Sequence, residues 1–416
     1  MQDYHCALVG CGAALEAGSA NAVCSGCRCV VYCDVECQTA HWAAHTQDCY
    51  SAVRKRVSSG DVHQDDEGGE YVLRNRLQVC REEHGATDER ALECVDVLGH
   101  LLRRQGKLAE ARALFTECLT ARRSKLGLMH ADTHASMCNL AQLLREQGSL
   151  VEAVPLMREA LNASRETQGP QHDSTLAYMN NLAGMLKDQG MLGEAEALYR
   201  EALEMRLATF GPQHSETLRL LNNLASVLMH QRRFDNAEPL IRSALEASRT
   251  ILGSLHPTTL TRISNMGMLL KAQGKLSEAE PLLREALEAQ RSILGTQHPS
   301  TLISVSNFAT LLNSQGKPAD AEPLYCEVLA SQRATLGSQH PDTFTSMFNL
   351  GRLLEDQGKL REAEALFSEA LTGSFRVLGR AHADTQGTCT CLVRVLAAQG
   401  KARDARDVQA QYGGGK

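Results

Sequence analysis

Residues 253–294 read GSLHPTTLTRISNMGMLLKAQGKLSEAEPLLREALEAQRSIL, a segment with a strongly periodic pattern of apolar residues. Apolar residues recur at i, i+3, i+4 and i+7 on both sides of the central QGK, which is the spacing of amphipathic helices. Ser277 and Glu280 have the spacing of a capping box and predict the start of the second helix, with Pro281 in its first turn. The HPxT step predicts Thr258 as the N-cap of the first helix. The stretch therefore predicts a helix–turn–helix unit.

The same unit recurs with a period of 42 residues. The central turn repeats a glycine, with Arg232 in the one missing phase: Gly106, Gly148, Gly190, Gly274, Gly316, Gly358 and Gly400. A histidine precedes most of the first helices: His130, His172, His214, His256, His298, His340 and His382. Such self-similarity indicates stacked supersecondary units. Because histidines spaced one per repeat cannot converge on a single ion, we interpret them as structural groups at the repeat junctions. The equivalents of Thr258 predict further N-caps at Ser300, Asp342 and Asp384.

Small residues also recur in the first helices, where they let two helices approach closely: Gly99, Ala141, Ala183, Ala225, Gly267, Ala309 and Gly351. This pattern resembles the tetratricopeptide repeat (TPR), and the wording LGxxHPxT…NLAxLL…QGK…EAEPL resembles its kinesin-light-chain variety. The resemblance implies an all-α fold with an α-α superhelical solenoid over residues 71–412. We predict a half-repeat at 71–85, seven full repeats over about 86–378, a truncated eighth at 379–412 and a tail at 413–416.

Residues 6–49 carry a different pattern, in which cysteine and histidine recur in pairs. The spacing is Cys6-x4-Cys11-x12-Cys24-x2-Cys27-x5-Cys33-x3-Cys37-x7-His45-x3-Cys49. Four pairs of ligands are enough for two tetrahedral zinc ions, and thiolate and imidazole both suit zinc. A disulfide framework and a redox CxxC at Cys24 and Cys27 are the alternatives, and the histidine in the series favours metal.

The histidine is seventh in the series of eight, and with Tyr32, Gln38 and Trp42 the segment resembles a MYND-type zinc finger. The resemblance implies interleaved pairing: Cys6, Cys11, Cys33 and Cys37 hold one zinc, and Cys24, Cys27, His45 and Cys49 hold the other. Two complete tetrahedra leave no position for water, so both Zn2+ ions would be structural. The four-residue gap between Cys6 and Cys11 departs from the family's usual two, which weakens the first site. Residues 50–70, charged and glycine-rich, predict a linker.

The composition of the chain limits the kinds of molecule that it is expected to bind. Net charge is −6, and residues 1–50 hold five acidic residues but one arginine, so a nucleic-acid partner is not expected. The chain has no signal-peptide pattern and no long apolar run, so we expect no membrane contact and a cytoplasmic location. The basic triplet at 54–56 leaves nuclear entry open. The seven cysteines after residue 50 are expected to be small buried side chains.

One position of the first helix repeats asparagine: Asn139, Asn181, Asn223, Asn265, Asn307 and Asn349. In the tetratricopeptide family this position faces the concave groove, where an amide can clamp a peptide backbone or carboxylate. The alternative, that these amides bond only to neighbouring helices, stays open. Further along the groove lie Arg145, Lys187 and Lys271, a row that favours an acidic peptide, although acidic neighbours leave the sign of the charge open.

These observations predict a zinc-binding adaptor or scaffold for protein–protein interaction rather than an enzyme. The finger would dock one partner peptide and the groove would bind another, with no small-molecule substrate. One alternative is a kinesin-light-chain-like motor or ciliary cargo adaptor, although the heptad coiled coil of such chains is missing. A second is a methyltransferase-related protein without its SET domain, since MYND fingers accompany SET domains and no SET-like core is visible here.

Overall fold

The computed structural model describes residues 4–5, 14–15, 22–23, 31–32, 50–55, 57–58, 67–380 and 382–413. The chain forms two compact units, residues 1–143 and 144–416. In the first unit, two antiparallel pairs of short strands precede the helices. Strand β1 (Tyr4–His5) pairs with β2 (Ala14–Leu15), and β3 (Ala22–Val23) pairs with β4 (Val31–Tyr32).

From residue 67 onwards the described chain is a series of antiparallel helix pairs. In chain order the helices are α1 (Glu67–His84), α2 (Glu89–Arg104), α3 (Leu108–Leu126), α4 (Ala131–Glu146), α5 (Leu150–Gln168), α6 (Asp173–Asp188), α7 (Leu192–Phe210), α8 (Ser215–His230), α9 (Phe234–Leu252), α10 (Pro257–Ala272), α11 (Leu276–Leu294), α12 (Pro299–Ser314), α13 (Pro318–Thr335), α14 (Pro341–Asp356), α15 (Leu360–Val377), α16 (Ala383–Ala398) and α17 (Ala402–Tyr412). Even-numbered helices are the first helices of repeats one to eight, and α3 to α17 with odd numbers are the second helices.

Part of the segment predicted as a linker is helical. Residues 51–55 and 57–58 have helical backbone, and α1 begins at Glu67, four residues before the predicted half-repeat. Val53 and Val57 are both buried. Their i, i+4 spacing places them on one helical face, a pattern that the charged residues around them hide in the sequence.

The recurrent histidines cap the first helices. His256 has an extended backbone, and its Nδ1 accepts a hydrogen bond from the N–H of Thr258 at 3.2 Å. The same bond forms at all seven histidines, at 3.1–3.3 Å. Their structural role is therefore confirmed, whereas the N-caps predicted at Thr258, Ser300, Asp342 and Asp384 were wrong. An imidazole one residue before the HPxT proline reaches the N2 amide, so the cap lies two residues earlier.

The capping box predicted for the second helix was also wrong. Helix α11 begins at Leu276, after Lys275, and its N-cap makes no side-chain hydrogen bond. Pro281 consequently lies one turn inside the helix instead of within its first turn. Glu280 serves the next repeat instead, because its Oε2 accepts a hydrogen bond from Nε2 of Gln315 at 2.9 Å.

This glutamine–glutamate bond recurs between successive repeats and explains why QGK and EAE recur in the sequence. Four such bonds join the turn of one repeat to the second helix of the repeat before it: Gln231–Glu196, Gln273–Glu238, Gln315–Glu280 and Gln399–Glu364, at 2.8–3.0 Å. A second set joins successive second helices: Arg165–Glu201, Arg291–Glu327 and Arg333–Glu369. The recurrent glutamine, glutamate and arginine residues, which in the sequence look like ordinary surface residues, therefore join successive repeats.

Glycine at the helix crossing accompanies a phenylalanine in the partner helix at two repeats. A methyl group on Gly99 would lie 2.6 Å from Cε1 of Phe115, and one on Gly351 would lie 2.7 Å from Cε1 of Phe367. Both rings are buried, with 1% and 0% exposure. The two glycines are therefore required by close approach, as the small-residue pattern predicts.

The turn glycines all have positive φ, between 72° and 81°, which side chains rarely adopt. Arg232 takes their place in repeat four with φ of 60°, the one described residue other than glycine in the left-handed region. Six of the seven dispersed cysteines are buried as expected, and Cys326 is exposed. No helix among the described residues is long and apolar enough to span a membrane.

Candidate peptide-binding groove

The eight predicted zinc ligands lie outside the described residues, so their arrangement stays a prediction: Cys6, Cys11, Cys24, Cys27, Cys33, Cys37, His45 and Cys49. Two of the predicted ligand pairs fall between paired strands. In chain order, Cys6 and Cys11 come after β1 and before β2, and Cys24 and Cys27 come after β3 and before β4. A donor set of thiolates with one imidazole suits zinc. Within the described residues, no group of three or more His, Cys, Asp or Glu side chains is placed to hold a metal ion.

The recurrent asparagines connect successive first helices. Nδ2 of Asn265 donates to Oδ1 of Asn222 at 2.8 Å, across the junction of α8 and α10. Equivalent bonds run from Asn139 to Asp96, from Asn223 to Asn180 and from Asn307 to Ser264. Asn181 accepts from Asn180, and Asn349 lines a cavity described below. The bond between neighbouring helices, which the sequence left open, is thus present, and the clamp role of these amides stays a prediction.

The predicted basic row does not reach the cavities of the second unit. Arg145 forms an ion pair with Asp188 at 2.6 Å, so its charge is already matched. Lys271 is half-buried, and burial lowers the pKa of its ammonium group. Lys187 is partly exposed, and neither lysine lines the cavities described next. The peptide role of this row therefore also stays a prediction.

A cavity of about 480 Å³ lies between the first helices of repeats four and five, α8 and α10. Its apolar wall contains Leu218, Ile251 and Leu252, and the last two are 46% and 41% exposed. Polar groups complete the lining: Gln213, Ser215, Glu216, Arg219, Asn222, His256, Thr258, Thr261, Arg262 and Asn265. Apolar walls with a few convergent polar groups are typical of ligand sites.

Two repeats further on, α12 and α14 enclose an equivalent cavity of about 270 Å³. Asn307, Asn349 and Gln332 supply amides, and Ile303 supplies an apolar side chain that is 62% exposed. Both cavities lie toward the N-terminal ends of first helices, so the same face of the repeat is hollowed twice. We call the face formed by these cavities the groove.

Arg262 is the groove residue that sequence reasoning missed. It occupies the sixth position of a first helix, where the preceding repeat carries Leu220 and the next two carry Ser304 and Ser346, and its residue exposure is 6%. Burial lowers the pKa of its guanidinium from the ordinary arginine value. A charged residue at a position that is otherwise uncharged throughout the repeats was the available signal.

The comparisons with known proteins agree with this architecture. A tetratricopeptide repeat family model matches residues 132–208, 216–292, 262–334 and 301–374, and two related models match 92–135 and 179–250. A MYND finger model matches residues 6–49. The chain belongs to the tetratricopeptide repeat family and carries a MYND finger before its repeats. MYND fingers bind zinc, and tetratricopeptide repeats are scaffold folds that are generally non-enzymatic.

The solved structures that match the chain share low sequence identity with it. One is a Podosopora anserina protein described as having kinesin light chain nearly identical TPR-like repeats, with 26% identity, a TM-score of 0.43, and coverage of 50% of this chain and 97% of that one. BtubC (BKLC) from P. vanneervenii has 23% identity, a TM-score of 0.46, and coverage of 60% and 94%. A Rap protein complexed with competence and sporulation factor has 14% identity, a TM-score of 0.48, and coverage of 88% and 100%. The search of curated proteins gave no match.

Proposed function

We propose that this protein is a two-ended adaptor, in which the MYND finger docks one protein segment and the groove of the repeats binds another. The observation that carries the proposal is the groove itself. It contains two cavities with apolar walls and amide groups, two repeats apart on first helices. Extended peptides are recognised in this way, through backbone bonds to side-chain amides and pockets for individual side chains.

The finger is proposed to hold two structural zinc ions. Zinc binding contributes on the order of 10–16 kcal/mol in finger peptides, which offsets the small core of a segment of this size. We expect two zinc ions per chain when the purified protein is analysed by mass spectrometry for metal content. Cys24→Ala with His45→Ala should reduce the content to one.

The adaptor function is tested by capturing partners from the source cells with four versions of the full chain. The intact protein is compared with Cys24→Ala/His45→Ala and with the groove variant Ile303→Glu. Val151→Glu is the matched control for the groove variant, because Val151 is an apolar side chain with 82% exposure on α5, outside both cavities.

Separate loss of different partners with the finger variant and the groove variant supports a two-ended adaptor. Circular dichroism confirms that each variant is folded before capture. If Ile303→Glu and Val151→Glu retain the same partners as the intact chain, the groove is not the binding face and the proposal fails for the repeats.

A further inference from the structure

Three arginines are buried in the described part of the chain, and they differ in their partners. Arg122 donates to Oδ2 of Asp96 at 2.7 Å, and Arg206 donates to Oδ1 of Asp173 at 2.6 Å. Arg262, with 6% exposure, has no hydrogen-bond or ion-pair partner among the described residues, and its Nε and Nη1 are both buried. An unpaired buried charge is costly in free energy, so its retention calls for an explanation.

The 42-residue register shows where a counter-charge for Arg262 would come from. In the first repeat, Arg122 meets Asp96 and Glu89, and it also donates to Ser136, the residue that corresponds to Arg262 in repeat two. In the first repeat the buried guanidinium comes from the second helix, at Arg122. Between repeats four and five it comes instead from the first helix of the following repeat, at Arg262. The two acidic positions are neutral there.

Asn222 corresponds to Asp96 and Ser215 corresponds to Glu89, three repeats later in each case. Both residues line the same cavity as Arg262. Glu216 also lines it, but Arg219 already donates to this carboxylate through Nε at 3.1 Å. The cavity therefore carries one net positive charge that its own walls do not balance.

The chemistry of the cavity selects the ligand. A guanidinium presents a planar fork of donors that matches a carboxylate, and it stays charged near neutral pH. A single net positive charge suits a monoanionic carboxylate, whereas a phosphate carries about −1.5 to −2 charges and would remain partly unbalanced. The exposed Ile251 and Leu252 beside the cavity suit an apolar neighbour of the acidic residue.

The second cavity, two repeats on, favours a chain over a small molecule. A free carboxylate would fill only one cavity, whereas an extended segment can place an acidic side chain in the first and an apolar one beside Ile303 in the second. We propose that the crevice between repeats four and five binds an aspartate or glutamate side chain of an extended partner segment, with Arg262 as its ion-pair partner. This proposal rests on the proposed function of the groove.

The test uses the full-length protein and a displayed library of random twelve-residue peptides. Enriched peptides are synthesised, and their affinities are measured by fluorescence anisotropy. We expect an acidic residue at one fixed position, with an apolar residue nearby. Replacement of that acid by its amide should weaken binding to the intact protein at least tenfold, since a desolvated charge pair loses one partner.

Three variants assign the effect to Arg262. Arg262→Met should weaken the acidic peptide at least tenfold, and it should bind the acid and amide peptides about equally. Asn222→Asp places a carboxylate where Asp96 stands beside Arg122, so it should also weaken the acidic peptide while raising the urea midpoint of unfolding. Arg206→Met, the matched buried arginine outside the cavity, should leave the affinity unchanged.

The outcomes separate the proposal from the function on which it rests. Enriched peptides without a fixed acid, or equal affinity for Arg262→Met, would overturn the proposal and leave peptide binding by the groove intact. Glutarate that displaces the peptide at the peptide's own concentration would show a site for small carboxylates, which also overturns it. If no peptide binds the intact protein, both the proposal and the groove function fail.

Discussion

The first repeat and the pair formed by repeats four and five share one backbone plan, but they treat buried charge differently. In the first repeat, the buried Arg122 is matched by Asp96 and Glu89. Repeats four and five contain Arg262, buried without a partner among the described residues, and Arg232, which has φ of 60° in a turn that is otherwise glycine.

Repeats four and five therefore contain two residues that lower the stability of the fold, whereas the buried arginine of the first repeat has matching acidic partners. A buried ion pair is nearly neutral for stability, and burial raises the pKa of Asp96 even beside Arg122. An unpaired charge and a left-handed arginine both oppose folding, and such conflicts are typical of functional sites. Arg262 lines the larger of the two groove cavities, and Arg232 lies in the turn that ends α8, one of the two helices that form this cavity. The four predictions below test this contrast, from the largest expected effect to the smallest.

Asp96→Asn should turn the first repeat into a region with a poorly matched buried arginine. We expect the free energy of unfolding to fall by about 3 kcal/mol, because breaking a buried pair leaves the other charge uncompensated. Urea unfolding measures the change. In an Arg122→Met background the same substitution should have a much smaller effect, and an equal effect in both backgrounds would show that the two side chains are not coupled.

Lowering the pH should destabilise the first repeat through His100, which packs against Phe115 with ring centroids 5.2 Å apart. Burial, with smaller contributions from Arg103 and Arg104, lowers the pKa of His100 to about 4 from 6.5. The unfolded chain therefore binds the proton first as pH falls, and stability is lost between pH 6.5 and 4 with a limiting slope of about 1.4 kcal/mol per pH unit. His100→Gln should remove this part of the pH dependence of the unfolding free energy; an unchanged profile contradicts it.

Arg262→Met and Arg122→Met should change stability in opposite directions. The first removes an unpaired charge and should raise the free energy of unfolding by about 1–2 kcal/mol. The second leaves the half-buried carboxylate of Asp96 without its ion-pair partner and should lower the free energy of unfolding. Thermal and urea unfolding of the two variants provide the comparison, and a loss of stability in Arg262→Met would mean that the guanidinium is matched in the folded protein.

Arg232→Gly should stabilise repeat four by relieving the left-handed backbone. The expected gain is about 0.5–1 kcal/mol, since the left-handed penalty of about 1–2 kcal/mol is partly offset by the greater freedom of glycine in the unfolded chain. Gly274→Arg makes the reverse change in the next turn, where φ is 80°, and should lose a similar amount. A negligible difference between the two turns would remove Arg232 from the contrast.

The repeat plan could be predicted from the sequence because its determinants are local and periodic. The 42-residue period, the glycine turns and the small residues at the crossings each act within one unit, as Gly99 and Phe115 illustrate. The caps could not, because His256 and Thr258 are both plausible hydrogen-bond acceptors and only the backbone geometry decides between them. Glu280 was misassigned because its partner, Gln315, lies in the next repeat.

The groove was predictable only in outline. Recurrent asparagines mark the face, but the feature that distinguishes one crevice is the absence of acids at Asn222 and Ser215. The sequence register aligns these residues with Asp96 and Glu89, but only the structure shows that Asp96 and Glu89 bind a buried arginine in the first repeat. A search for periodic residues finds the recurrent asparagines but not Arg262, because Arg262 is the only charged residue at its position in the repeats.

The glutamine–glutamate bonds between successive repeats have a consequence for how such a chain changes length. The four junctions joined by this pair are chemically alike, so deletion of residues 253–294 would bring Gln315 to Glu238 in place of Glu280. Addition of a repeat would likewise meet matching partners at both joins. In this part of the array, repeats can therefore be lost or gained by unequal recombination without creating an unmatched junction, and the length of the solenoid can vary. The crevice with Arg262 differs in this respect. Because no other repeat has an arginine at this position, loss of this repeat removes the crevice, and duplication of another repeat does not restore it.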